Sequence, residues 1–275
     1  MSVFFSRKGH LVKINHLMQL PNFSRSTFTH DDISHYVYSA GEGPPVIVIH
    51  ELPGMTQDCV LFAERLIAQG FRVHLPLLFG RPGQNPAPIR FLLKLCISKE
   101  FYLFKHNKTS PIVSWLRALV RQVESESQTT GVGMIGMCLT GGFAIPLLVE
   151  DAVKAPVLSQ PSMPLGFSMA SKQALGVSPE DLEVAIKRVQ AGQQLLAFRF
   201  DKDPFCSAEK MEAYKKVFGD AFEYHELPSA QQPPGMGCHS VFTAHFVDKT
   251  GHPTKDALGR LIEFYKEKLL PSETV

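Results

Sequence analysis

The segment Ile135-Gly136-Met137-Cys138-Leu139-Thr140-Gly141-Gly142 places a nucleophilic side chain at the apex of what reads as a sharp turn from strand to helix. Small residues flank such an apex because the turn crowds backbone against backbone. The helix that follows aims its N-terminal amides and the positive end of its dipole at the thiol, which favours a thiolate. Thr140 departs from the strict pattern, which has glycine two residues after the nucleophile. A cysteine buried simply as a small apolar residue is the competing explanation. Two later loops carry complementary groups. Asp203 follows the apolar run Leu195 to Phe200, and His239 follows a strand pattern that ends at Leu227. A histidine there would take the thiol proton, and a carboxylate would hold the imidazole, fix its tautomer and stabilise its charged form. Asp201 competes with Asp203, and His245 and His252 compete with His239. Each of these, taken alone, is as readily a cap, a turn former or a solvated side chain.

The order nucleophile, acid, histidine along the chain is the one used by α/β-hydrolases. In that fold a second oxyanion donor follows an early strand, and here the most apolar strand, Val46-Ile47-Val48-Ile49, runs into His50-Glu51-Leu52-Pro53-Gly54. The backbone N–H groups of Leu52 and Leu139 are thereby expected to face a developing oxyanion. Glu51 stands beside that position as an internal base or as a hydrogen-bond partner of the thiol. Its plainer explanation is an acid at a helix start.

These groups need a frame. His35 to Tyr38 and Val46 to Ile49 read as strands, the second apolar on both faces and so expected inside a covered sheet. Leu61, Phe62, Leu66 and Ile67 recur at helical spacing up to Gly70, and Phe71 to Leu75 forms the next strand. Further strands are expected at Val132–Gly136, Val157–Leu158, Gln194–Phe200 and Phe222–Leu227. Helices are expected from Pro111 to Val123, after Thr140, and over 180–190, 207–218 and 254–270. Residues 1 to 25 carry little pattern, and 84–110 reads as a helical excursion from the sheet. The alternation predicts a single α/β domain over residues 1–275, with a mainly parallel sheet and helices on both faces.

A chain of 275 residues with 44% hydrophobic content can bury a large core unaided. Lys plus Arg total 28 against 26 for Asp plus Glu, a balance that gathers neither nucleic acid nor an anionic membrane. No apolar run approaches the ~20 residues of a membrane span, and no secretory leader is readable after Arg7 and Lys8. Five cysteines without a Cys-x-x-Cys pair suit a reducing, cytoplasmic setting. Gly131-x-Gly133-x-x-Gly136 matches a dinucleotide fingerprint formally, but its glycines precede or lie inside the strand. Cys238, His239, His245 and His252 fit no standard zinc spacing. No metal and no organic cofactor is expected.

The residues His50-Glu51-Leu52-Pro53-Gly54, Phe79-Gly80-Arg81, Gly136-Met137-Cys138-Leu139, Asp203 and His239-Ser240 together resemble the dienelactone hydrolase family over about residues 30 to 270. The resemblance implies an α/β-hydrolase fold and a Cys138-His239-Asp203 triad that cleaves a small ester or lactone through a thioester. It implies that Glu51 pairs with the resting thiol and that Arg81 contacts a substrate carboxylate. A second arginine follows the family's histidine by four residues, and this chain has Thr243 there. A thioesterase or other acyl hydrolase of the same fold, or a binding module that has kept the fold without the chemistry, are the alternatives.

Overall fold

The computed structural model of the protein describes residues 20–83, 110–129, 131–162 and 174–270. Eight strands form one sheet: β1 Ser24–His30, β2 Ile33–Ala40, β3 Pro45–Ile49, β4 Arg72–Pro76, β5 Val132–Met137, β6 Val153–Ser159, β7 Leu195–Phe200 and β8 Phe222–Leu227. Their spatial order is β1-β2-β4-β3-β5-β6-β7-β8. The first two strands run antiparallel to their neighbours, and every pair from β4 onward is parallel. The mainly parallel α/β sheet is as expected. Strand β1, and with it the hairpin to β2, is the element missed: β1 is mostly exposed and lies at the edge, so it lacks the apolar alternation that marks a buried strand. A signal was present in Asp31 and Asp32, which both adopt positive φ (47° and 60°) as a tight two-residue hairpin turn requires.

Central strands β3, β5 and β7 are buried along their whole length. Alternate residues serve opposite faces, so that Ile47 and Ile49 enter one apolar cluster and Val46 and Val48 the other. The first face is covered by α2 Pro111–Ser125, α3 Ala144–Leu147, α4 Pro179–Gln190 and α5 Ala208–Phe218. The second is covered by α1 Gln57–Ile67 and α6 Pro253–Leu269, whose Leu258, Leu261, Phe264 and Tyr265 lie under the sheet. Among the described residues no helix is long and apolar enough to cross a membrane. Of the excursion expected at 84–110, all but Ser110 lies outside the described residues. The three glycines of the dinucleotide look-alike stand at Gly131, just before β5, and inside it at Gly133 and Gly136.

Two histidines sit in this frame without charge. His50, directly after β3, is fully buried; its Nε2 accepts the Leu78 N–H at 3.1 Å and its Nδ1 lies 3.2 Å from the Glu51 carbonyl. The proton is therefore on Nδ1, and burial pushes the ring from 6.5 down to about 4. His74 in β4, 2.9 Å from Ser39 Oγ, is likewise held at about 4 by burial and then by the charge of Arg72. Both folded values lie below the unfolded one, so the stability gained by keeping the rings neutral is complete above about pH 6.5 and is lost as pH falls toward 4. Each ring contributes on the order of 3 kcal/mol to that loss. Urea midpoints measured from pH 7 to pH 4.5 are expected to fall steeply in the wild type. The slope should be shallower in His50→Gln, whose amide oxygen can accept from Leu78; an unchanged slope would refute this assignment.

Candidate active site

The carboxyl ends of β3, β5 and β7 and the loop after β8 deliver their polar groups to one end of the sheet. Cys138 immediately follows β5 with φ 53°, a left-handed backbone that side chains rarely adopt. Its surroundings leave no room for an ordinary turn. A Cβ on Gly136 would stand 2.1 Å from the Thr140 carbonyl oxygen, and one on Gly141 would stand 2.6 Å from Pro161 Cα. Thr140, where a glycine is usual, is fully buried. Its hydroxyl accepts the Met137 N–H at 3.0 Å and has the Ile49 and Met137 carbonyls at 3.0 Å and that of His50 at 3.3 Å. The departure from the pattern thus ties the elbow to the end of β3.

The regular helix expected after Thr140 is much reduced. Residues Cys138–Phe143 form a 3-10 turn, followed only by the four residues of α3. The close packing of Gly141 against Pro161, and Pro146 with no N–H to give, account for this. Arg117 donates to the Pro146 carbonyl at 2.7 and 3.1 Å, and Arg188 donates to the Leu148 carbonyl at 2.8 Å, so side chains satisfy what a longer helix would have satisfied itself. Within 4.8 Å of the thiol sulfur stands an imidazole that can carry a positive charge.

That imidazole is His239, whose Nδ1 lies 2.8 and 2.9 Å from the two oxygens of Asp203. Asp203 Oδ1 also accepts the N–H groups of Phe205 at 2.8 Å and Cys206 at 3.0 Å. Burial works against a charge on His239, but the hydrogen bond to Asp203 and then the interaction with Cys138 outweigh it, holding the ring up at about 10. One ring nitrogen of His239, the Cys138 sulfur and a Glu51 carboxylate oxygen lie within 4.8 Å of one another. With Nδ1 held by Asp203, Nε2 is the nitrogen left for the sulfur. It is buried and, apart from its interaction with Cys138, has no hydrogen-bond partner among the described residues. The Phe205 ring, 58% exposed, stands edge-on to His239 at 5.1 Å.

Glu51 is almost wholly buried and meets three neutral donors: Gln160 Nε2 at 3.1 Å, Ser240 Oγ at 2.9 Å, and the Thr243 hydroxyl. Burial raises its carboxyl above the usual range, against the pull of His239 and of these three donors. Gln160, with φ 34°, was not foreseen; it directly follows β6, between Ser159 and Pro161, where no local pattern marks it out. Glu51, Cys138 and His239 are also the one trio among the described residues whose donor atoms converge closely enough for a metal ion.

The remaining candidates separate by place. Asp201 accepts the Ser229 N–H at 2.8 Å on the exposed side of its turn, and His252 caps α6 beside Thr254. Leu52 and Leu139 are half-buried, each next to one of the reactive side chains. Arg81 is exposed on the loop after β4, three residues ahead of position 84, where the described residues break off.

Comparison with known proteins bears on the family and the fold. A model of the dienelactone hydrolase family matches residues 33–229. No curated protein matches the sequence significantly. A protein from Klebsiella pneumoniae subsp. pneumoniae MGH 78578 assigned as a dienelactone hydrolase shares the fold at TM-score 0.63 and 14% identity, over 89% of this chain and 98% of that one. A promiscuous dienelactone hydrolase-like phosphotriesterase from metagenomic libraries gives TM-score 0.60 at 13% identity, covering 90% and 98%. The protein Est1E from Butyrivibrio proteoclasticus gives 0.55 at 15%, covering 88% and 98%. At these identities the solved structures speak for the fold.

Removing the Thr140 hydroxyl leaves the Met137 N–H without its partner in a dry setting. Thr140→Val is expected to lower unfolding free energy by about 1–3 kcal/mol, and Thr140→Ser to recover most of it. Denaturant titration of the three proteins measures this, and equal stability of Thr140→Val and wild type would dismiss the tie.

Proposed function

Because the chain belongs to the dienelactone hydrolase family and is a hydrolase with the α/β-hydrolase fold, we propose that it cleaves a small carboxylic ester or lactone through a Cys138 thioester. The observation that carries this reading is the convergence of the Cys138 sulfur, His239 and Glu51 within 4.8 Å, with His239 clamped from behind by Asp203. The Cys138 thiolate, its proton carried by His239, attacks the substrate carbonyl carbon, and a C–S bond forms as the carbonyl electrons move to oxygen. The N–H groups of Leu52 and Leu139 receive that oxyanion. Collapse expels the alkoxide, which takes the proton from His239 Nε2; in a lactone it stays tethered to the acyl group. Water then attacks the thioester with His239 as base, releasing the carboxylic acid and restoring the thiol. Asp203 keeps Nδ1 protonated throughout, so only Nε2 exchanges protons.

Glu51 supports the pair from the other side, its negative charge favouring the imidazolium. Arg81, on an exposed loop, is the residue we assign to a substrate carboxylate. Thr243, a neutral hydroxyl given over to Glu51, supplies no second cation for such a group. That favours esters and thioesters with no more than one anchored carboxylate. A nucleophile that works as a free thiol, in a chain whose described cysteines are all unpaired, fits a cytoplasmic protein.

Intact-protein mass after brief exposure to a small activated ester at neutral pH tests the reading. An acyl adduct is expected in wild type, none in Cys138→Ala, and slower decay of the adduct in His239→Ala. Turnover should fall by at least ~10³-fold in Cys138→Ala. Full activity of that variant on any ester the wild type hydrolyses would end the thioester mechanism.

A further inference from the structure

His245, a rival for the histidine role on sequence grounds, occupies a different post. Its Nδ1 accepts two successive backbone N–H groups, that of His239 at 3.0 Å and that of Ser240 at 2.9 Å. Its own backbone N–H returns to the Ser240 carbonyl at 3.1 Å, closing a ring of contacts. The two residues held this way point in opposite chemical directions. His239 reaches Asp203, and Ser240 Oγ reaches Glu51 at 2.9 Å. One ring nitrogen therefore sets the backbone from which both buried carboxylates are approached.

The seat of this ring is built for it. A Cβ on Gly237 would fall 2.5 Å from His245 Nε2 and 2.7 Å from Cε1, so the chain ahead of His239 lies flat against the imidazole. An acceptor at Nδ1 requires the neutral tautomer with its proton on Nε2. Burial, and next the charge of His239, hold His245 below its ordinary value, while Asp203 and Asp58 pull the other way. The ring is thus suited to remain an acceptor while its neighbour carries the charge.

We infer that His245 is a positioning residue, which through Nδ1 fixes the His239–Ser240 backbone so that His239 Nε2 faces the Cys138 sulfur. The inference rests on the triad reading above for its effect on rate, but not for its effect on His239 itself. Displacement of a proton-transfer group by a fraction of an ångström lowers the rate of the chemical steps far more than it alters substrate binding.

The test uses the full chain with three variants. Asn places its amide oxygen near the Nδ1 position, so His245→Asn retains the acceptor, whereas His245→Leu removes it and Gly237→Ala pushes the ring from its seat. On the activated ester, His245→Leu and Gly237→Ala are expected to lower kcat by about tenfold or more with KM within about twofold, and His245→Asn to restore most of kcat. In parallel, the low-field proton NMR signal of His239 Nδ1–H should move or broaden in His245→Leu and return in His245→Asn. Equal kcat in His245→Leu and wild type, or equal loss in the Leu and Asn variants with the His239 proton unmoved, would overturn the inference. Should wild type prove to hydrolyse nothing through Cys138, the triad reading fails while the NMR comparison still decides this one. If His245→Leu does not fold, His245→Gln replaces it, its acceptor one bond too far: recovery in Asn but not Gln supports positioning, and like behaviour of both refutes it.

Discussion

A side chain held at positive φ costs on the order of 1–3 kcal/mol, and Cys138 can stay at 53° only because everything around it forbids relaxation. Gly136 lets the Thr140 carbonyl come within a distance no Cβ would tolerate, Gly141 lets the chain lie on Pro161, and the Cys138 carbonyl accepts the Ser162 N–H at 2.9 Å. The strained residue is therefore locked from β3, β5 and β6 at once. The shortened helix behind it follows from the same crowding. So does the exposure of the thiol at the strand ends, where the histidine and the carboxylates can reach it.

Around that sulfur the charges are arranged in sequence. Asp203 is satisfied by N–H groups of its own loop as well as by His239, which keeps both the carboxylate and the imidazole oriented. Glu51 has only neutral donors and an imidazolium nearby, so burial and hydrogen bonding pull its carboxyl in opposite directions. One carboxylate holds the ring by a direct bond; the other acts across space. The difference follows from the loops: the turn after β7 offers two backbone donors, whereas the segment after β3 is met by side chains from three distant positions, Gln160, Ser240 and Thr243.

The sheet, its buried strands and its covering helices were legible because continuous apolar runs and helical spacing are properties of short windows. The elbow was legible too, since a cysteine between a strand pattern and paired glycines has few other uses. Asp203 and His239 stood among rivals that only three-dimensional contacts separate, Asp201 by its bond to Ser229 and His252 by its cap on α6. Gln160 and the double acceptor at His245 were not legible. Their meaning depends on which remote loops fold next to them, and no local pattern carries that. Thr140 read as a defect in a motif, when its hydroxyl replaces by hydrogen bonding the fit that a glycine gives by smallness.

The Thr140 hydroxyl also has a mechanical side. It bridges the elbow to the last carbonyls of β3, so the segment bearing Glu51 and the segment bearing Cys138 are stitched at the point where each leaves the sheet. Their separation inherits the stiffness of three parallel strands. His239 hangs on a longer arm after β8, braced by its contacts with Asp203 and His245. The sulfur and the carboxylate are thus placed by the sheet itself, whereas the imidazole is placed by two side-chain contacts on a loop.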